Sequence, residues 1–256
     1  ASLQANQLFR PEPALRVRNN VFSDTPLPPE EPTGQNPPDG AIIDYYLAHP
    51  AQSVIVDVLD SQDKVIRSYS SDDKPEMLDS TGLPFPTYWI RPSQTIGTRA
   101  GHHRMVWDIH HSPPPGVQRG YTIAAVYHNT PSSPPGPWAA PGNYTIRLTV
   151  DGQSMEQPIE VVLDPRVSVP EADIDYQSDY SLRCYHYQHQ AHEMITQLDD
   201  WLNKQPSGPK REMALALRGQ GEPDDQDFVY GGAYVGDAEN ENLVAFQNKC
   251  LYLMTV

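Results

Sequence analysis

Two stretches decide the fold: AIIDYYLA at residues 41–48 and SVIVDVLD at residues 53–60. In the first, Ala41, Ile43, Tyr45 and Leu47 share one side of an extended chain, with Ile42, Asp44 and Tyr46 on the other. In the second, Val54, Val56 and Val58 alternate with Ile55, Asp57 and Leu59. Successive Cβ atoms leave a strand on opposite faces, so this period of two, with β-branched residues, is the pattern of a strand with one buried side. KVIRSYS follows at 64–70 after the polar turn Asp60-Ser61-Gln62-Asp63, so the second pair reads as a hairpin. Further strands are expected at His102–Ile109, Tyr121–Tyr127, Asn143–Val150 and Ser154–Leu163, and Asp151-Gly152 between the last two is a strong hairpin turn. Leu15, Val17 and Val21 mark a short edge strand upstream.

Short strands separated by turn signals imply a β-sandwich of immunoglobulin or fibronectin-III type. Its expected core is Ile43, Tyr45, Val54, Val56, Val58, Val106 or Trp107, Tyr144, Ile146, Leu148 and Val161. Proline divides the chain. Of 27 prolines, 23 fall in residues 1–165 and four in 166–256, and proline is excluded from helix interiors and central strands. The division expected is an extended Pro-rich lead-in over 1–40, an Ig-like β-sandwich with two long loops over 41–165, and a helical segment over 166–256. The fold class is therefore mainly β with a small α-helical part. Val169-Pro170-Glu171 opens a helix, with proline near its first position and acids in its first turn. Ile174, Tyr180, Tyr187, Ala191, Met194, Leu198 and Leu202 follow near helical spacing. Asp237–Met254 repeats the pattern, with Leu243, Phe246, Cys250, Leu251 and Met254 on one side. The chain stops at Val256 inside that pattern, which reads as a fragment cut within a helix.

Eighteen Lys and Arg against 33 Asp and Glu leave a formal charge of −15. That argues against nucleic acid and against an anionic membrane surface, both of which need clustered cations. No apolar run approaches the ~20 residues of a membrane-spanning helix.

The histidines are the first candidates for chemistry. AGHHRMVWDIHH, taken as one strand, sets His102, Asp108 and His110 on a common face, but ~20 Å separates His102 from Asp108 and one metal cannot span that. His186, His189, His192 and Glu193 have helical spacings that bring side chains together, yet they do not form the H-E-x-x-H pattern. Neither cluster is taken as a metal site, and no cofactor motif is present. No G-x-S-x-G appears, and no carboxylate pair can be set across a sugar cleft from spacing alone, so no catalytic residue is assigned. Cys184 and Cys250 sit among apolar helical residues, as buried thiols or as a disulfide between two helices. Tyr88, Trp89, Tyr121, Tyr127 and Trp138, in or beside the proline-rich loops, are the candidate binding residues. Such rings either stack on sugars or pin the loops to the sandwich.

The wording of the chain carries a resemblance. GAIIDYYL (40–47), VIVDVLDSQDKVIRSYSS (54–71), AGHHRMVWDIHH (100–111) and PGNYTIRLTVDGQ (141–153) resemble the Ig-like module of flagellar hook-capping and secretion-associated C-terminal domains. With LFRP (8–11), NPPDGA (36–41) and YVGDAENENLVAFQNKCLYLMTV (234–256), the whole chain is similar to the region after the β-propeller in secreted bacterial proteins with sortilin-type or BNR (sialidase-like) repeats, often labelled glycosyl hydrolase. Asp63 stands where that turn usually has glycine. No ~40-residue blade repeat is present. The resemblance implies a non-catalytic accessory module, extracellular or periplasmic, whose partners are an upstream propeller domain or a glycan. A glycoside hydrolase, or part of one, is the alternative it implies.

Overall fold

The structure, a computed structural model, describes residues 4–18, 30–32, 34, 37–75, 83, 85–117, 120–121, 128–219 and 242–255. The chain divides into two units: Ala1–Ser112 with Ala124–Asn129 and Trp138–Pro170, and Pro113–Ile123 with Thr130–Pro137 and Glu171–Val256. Together the described residues hold several β-sheets and three helices.

In the first unit the period-two runs become strands. β1 (Gln7–Leu8), β3 (Ala41–Leu47) and β6 (Gly101–Trp107) form a three-stranded antiparallel sheet in the order β1-β3-β6. β2 (Ala14–Arg16), β10 (Gln153–Leu163), β9 (Gly142–Val150), β4 (Val54–Leu59) and β5 (Val65–Ser70) form a second sheet in that order. All its pairings are antiparallel except β2 on β10, which is parallel. Pro158 is tolerated inside β10 because β2 pairs only with Val161–Leu163, leaving the position without an N–H on the free edge. The inner faces of both sheets meet in one cluster. Ile43, Tyr45, Leu47, Met105 and Trp107 come from the first sheet, and Val54, Val56, Val58, Ile146, Leu148, Ile159 and Val161 from the second. Trp107, not Val106, is the inward residue, and Tyr144 packs against the cluster half-buried.

Two turns follow from their residues. Asp63 takes a φ of 59°, the left-handed conformation that Asp tolerates, and Asp60 Oδ1 accepts from the amides of Gln62 and Lys64 at 2.8 and 3.0 Å. Asp151 and Gly152 both have positive φ (49° and 84°), which closes the β9–β10 hairpin with Gln153 opposite Val150.

Two expectations need correction here. β6 ends at Trp107, two residues short of Ile109, because Ile109 leaves the strand conformation. His102, Asp108 and His110 therefore do not share a strand face. In the lead-in, Leu15 is 50% exposed while Ala14 and Arg16 turn inward. Val21 lies outside the described residues.

In the second unit, α1 (Glu171–Leu202) begins where Pro170 ends the preceding loop, and it packs with α3 (Leu243–Thr255); α2 (Pro209–Arg218) lies between them in sequence. The short strands β7 (Gly120–Tyr121) and β8 (Ser132–Ser133) pair in this unit. The rest of the expected strand at 121–127, from residue 122, lies outside the described residues. The buried side of α1 is Cys184, Tyr185, Gln188, Ala191, Ile195 and Leu202, whereas Tyr180, Tyr187 and Met194 are exposed. The face expected from hydropathy is displaced because Gln188, fully buried, reads as a surface residue. On α3, Val244, Gln247, Cys250, Leu251 and Met254 are buried and Phe246 is exposed. Cys184 and Cys250 are both free thiols within one buried cluster. Burial raises both, Cys250 to about 11, so neither is a thiolate at neutral pH. No described helix is long and apolar enough to cross a membrane.

Candidate functional site

The first unit gathers an uncommon set of side chains where β6 ends. Ile109 has a φ of 58°, a left-handed conformation that costs a β-branched residue on the order of 1–3 kcal/mol. The surroundings hold it there. Trp107 Nε1 donates to the carbonyl of His110 at 2.9 Å, and Ala139 N donates to the carbonyl of Ile109 at 2.8 Å. The Ile109 side chain is 1% exposed, so the same twist that strains its backbone puts it in the core.

The twist also aims His110. Its ring lies 3.9 Å from the Trp138 ring, and the two residues form an isolated antiparallel bridge. His110 Nδ1 is 2.7 Å from the carbonyl oxygen of Asp108. A carbonyl only accepts, so Nδ1 carries the proton and Nε2 the lone pair. Burial holds His110 below the usual histidine range, and the charges of Arg67 and Arg16 push the same way; Asp108, with a carboxylate oxygen at 4.0 Å, opposes them. Near neutral pH the His110 ring is thereby kept in its neutral form.

Arg16 reaches the cluster from β2, whose register sets it beside Leu163 of β10. Its Cζ lies 5.4 Å from the Trp138 ring centroid, and Nη1 donates to the carbonyl of Ala139 at 3.4 Å. Tyr144 closes one side: its hydroxyl donates to the carbonyl of Ala140 at 2.8 Å and its ring meets Trp107 edge-on at 5.5 Å. On β5, Arg67 stacks over Tyr69 at 4.9 Å. Burial raises the phenols of Tyr69 and Tyr144 to about 12. The assembly offers cations, a neutral ring nitrogen and aromatic faces, the chemistry of holding a ligand.

The other expected site residues have separate settings. Trp89 is buried and stacks parallel on Phe85 at 5.7 Å, with Tyr88 edge-on to it at 6.4 Å. Their carbonyls accept from the amides of His128 and Asn129, and the Asn129 side chain joins Arg91 and Asp39. Tyr121 is half-buried in β7, opposite Ser132, in the second unit. Tyr127 lies outside the described residues. Trp138 alone joins the His110 cluster.

Four other histidines lie against defined neighbours. His102 stacks on Phe9 and meets Tyr46 edge-on, and His103 stacks on Tyr45 and approaches the Arg99 carbonyl at 2.6 Å. In the second unit, His189 meets Tyr185 edge-on at 4.3 Å, and His192 lies so close to Gly116 that a Cβ there would sit 2.0 Å from its Nδ1. Among the described residues no group of three or more His, Cys, Asp or Glu is arranged to hold a metal ion.

The sequence pattern points to Asp108 with His110, and separately to Trp138, but not to Arg16, Arg67 or Tyr69. The signal for Arg16 was its phase: it lies two residues from Ala14 on the same side of a short strand.

No protein-family model and no curated protein matches the chain. Among solved structures, the chain is similar at 12% identity to CopC from Methylosinus trichosporium OB3b, over 52% of this chain and 82% of that one, with a TM-score of 0.22. A superposition that poor supports no conclusion about fold or chemistry.

Proposed function

We propose that the chain is a non-catalytic interaction module, an Ig-like sandwich carrying a helical segment, that docks onto a propeller-type domain of a larger secreted bacterial protein. The observation that carries the docking is an exposed apolar stripe on the second unit. Tyr180, Tyr187 and Met194 recur every seven residues on α1, which keeps them on one side of the helix, and all are exposed. Tyr176 stacks on Tyr180 at 6.3 Å, and Tyr187 meets the exposed Phe246 of α3 at 6.3 Å. Apolar surface gathered in this way marks a contact with another protein.

The Ig-like reading is supported by strand order. An opening strand split between two sheets, with β1 antiparallel to β3 and β2 parallel to β10, and a β10-β9-β4-β5 sheet facing β3-β6, parallels the variable-type immunoglobulin arrangement. Tyr144, near the start of β9 and bonded four residues back to Ala140, has the place of the tyrosine corner of such domains. Fold alone does not confer function. Glycan contact through the loop aromatics is the weaker arm of this reading, since Trp89 is buried and Trp138 is occupied by His110 and Arg16.

The test is co-purification with the propeller-type domain. A Tyr187→Ser/Met194→Ser double variant should keep its circular dichroism spectrum and lose the association. Unchanged association in that variant removes the docking reading. Hydrolysis of a chromogenic glycoside by the purified chain, abolished by a single Asp or Glu substitution, would replace the module with an enzyme.

A further inference from the structure

We propose that Arg16, with Trp138 and His110 around it, forms a binding site for a small carboxylate. The inference stands on the first unit alone and does not depend on the docking reading.

Its starting point is a buried cation to which no anion is bonded among the described residues. Arg16 is 7% exposed. Burying a charge is costly unless it is paired, and buried guanidinium groups are normally set against carboxylates. The chain has 33 acids to 18 Lys and Arg, yet no carboxylate among the described residues bonds Arg16. Its hydrogen bonding there is a single long contact of 3.4 Å to the Ala139 carbonyl. Burial first, and then the like charge of Arg18, pull the guanidinium below its ordinary range, with Tyr144 opposing them. A second guanidinium, Arg67, acts on the same His110 ring. Positive charge is concentrated here in a strongly acidic chain.

The geometry leaves donors available. A guanidinium has five N–H groups in a planar fork. Among the described residues, no Arg16 atom is both sealed from solvent and without a hydrogen bond. Among the described residues only Nη1 has a hydrogen-bond partner, which leaves Nε and Nη2 as donors for a ligand. The fork is also held in place: its Cζ lies 5.4 Å from the Trp138 ring centroid, the His110 ring lies 3.9 Å from the Trp138 ring, and β2 is paired with β10. A fixed planar fork matches the two oxygens of a carboxylate. Of the carboxylates acting on the cluster, Asp108 acts on His110 and Tyr69 and Asp60 on Tyr144.

The carboxylate can belong to a sugar acid or to a simple organic acid, and two ligands tell these apart. The wild-type chain is titrated with sodium glucuronate and with sodium acetate at constant ionic strength, with glucose as the neutral control. The resonances followed are the Arg16 Nε–H and the Trp138 indole N–H. Saturable shifts at both are expected, with a Kd of about 1 mM or tighter, and none with glucose. Equal affinities identify a simple organic acid; markedly tighter glucuronate identifies a sugar acid. Arg16→Lys keeps the charge and loses the fork, and should weaken binding by about tenfold or more. The proposal is overturned if neither acid shifts the Arg16 resonance saturably, or if a folded Arg16→Lys binds as well as wild type. The wild-type titration decides the matter even if the variant fails to fold.

Discussion

Ile109 shows how one residue sets a site. Its left-handed backbone ends β6, buries its own side chain and turns His110 onto Trp138. Ile109→Gly would relieve strain worth about 1–3 kcal/mol, while removing a buried aliphatic side chain costs about 2–5 kcal/mol. The loss is larger, so the variant should be less stable by roughly 1–3 kcal/mol in urea unfolding; a stabilised variant would show that strain outweighs packing. His110 supplies a pH dependence. Its folded-state pKa lies below the ordinary value of about 6.5. Above that value the ring is neutral in both states and contributes nothing. Below it the unfolded chain takes up a proton that the buried ring resists, so stability falls as pH drops from about 6.5. His110→Gln should flatten the decline of the urea midpoint between about pH 6.5 and 5. An unchanged slope would mean that His110 protonates freely in the fold.

At the scale of elements, strands were far more legible than helix faces. The inward residues of β3, β4 and β9 are those that alternation picks out, because a strand offers only two faces and a slip by one residue exchanges them all. A helix offers a continuum of faces. Along α1, Ala191 and Leu202 of the expected face are buried, but Tyr180, Tyr187 and Met194 of that face are exposed, and Cys184, Tyr185, Ile195 and the polar Gln188 are buried instead. Neighbouring substitutions test this phase. Ile195→Ser should cost about 2–4 kcal/mol in thermal or urea unfolding, and Met194→Ser less than about 0.5 kcal/mol. The reverse order would restore the face expected from hydropathy.

For the whole molecule, every described member of the core shared by the two sheets lies between Leu8 and Val161. A chain ending at Pro170 therefore contains all of those residues. It should keep a β-type circular dichroism spectrum and the near-ultraviolet signal of the buried Trp107; loss of both would make the first unit dependent on the helices. What the sequence by itself determined was local: the alternating strands, the Asp63 and Asp151-Gly152 turns, and the start of α1 at Glu171. Each rests on residues a few positions apart, where steric and hydrogen-bonding preferences act without the rest of the chain. Only the tertiary structure decided the left-handed twist at Ile109, the buried side of α1 and the assembly around Arg16. Arg16 meets Ala139 across 123 residues of sequence. No local preference places a guanidinium against Trp138; the parallel pairing of β2 with β10 and the bridge between His110 and Trp138 do so, and both exist only once the sheets have formed.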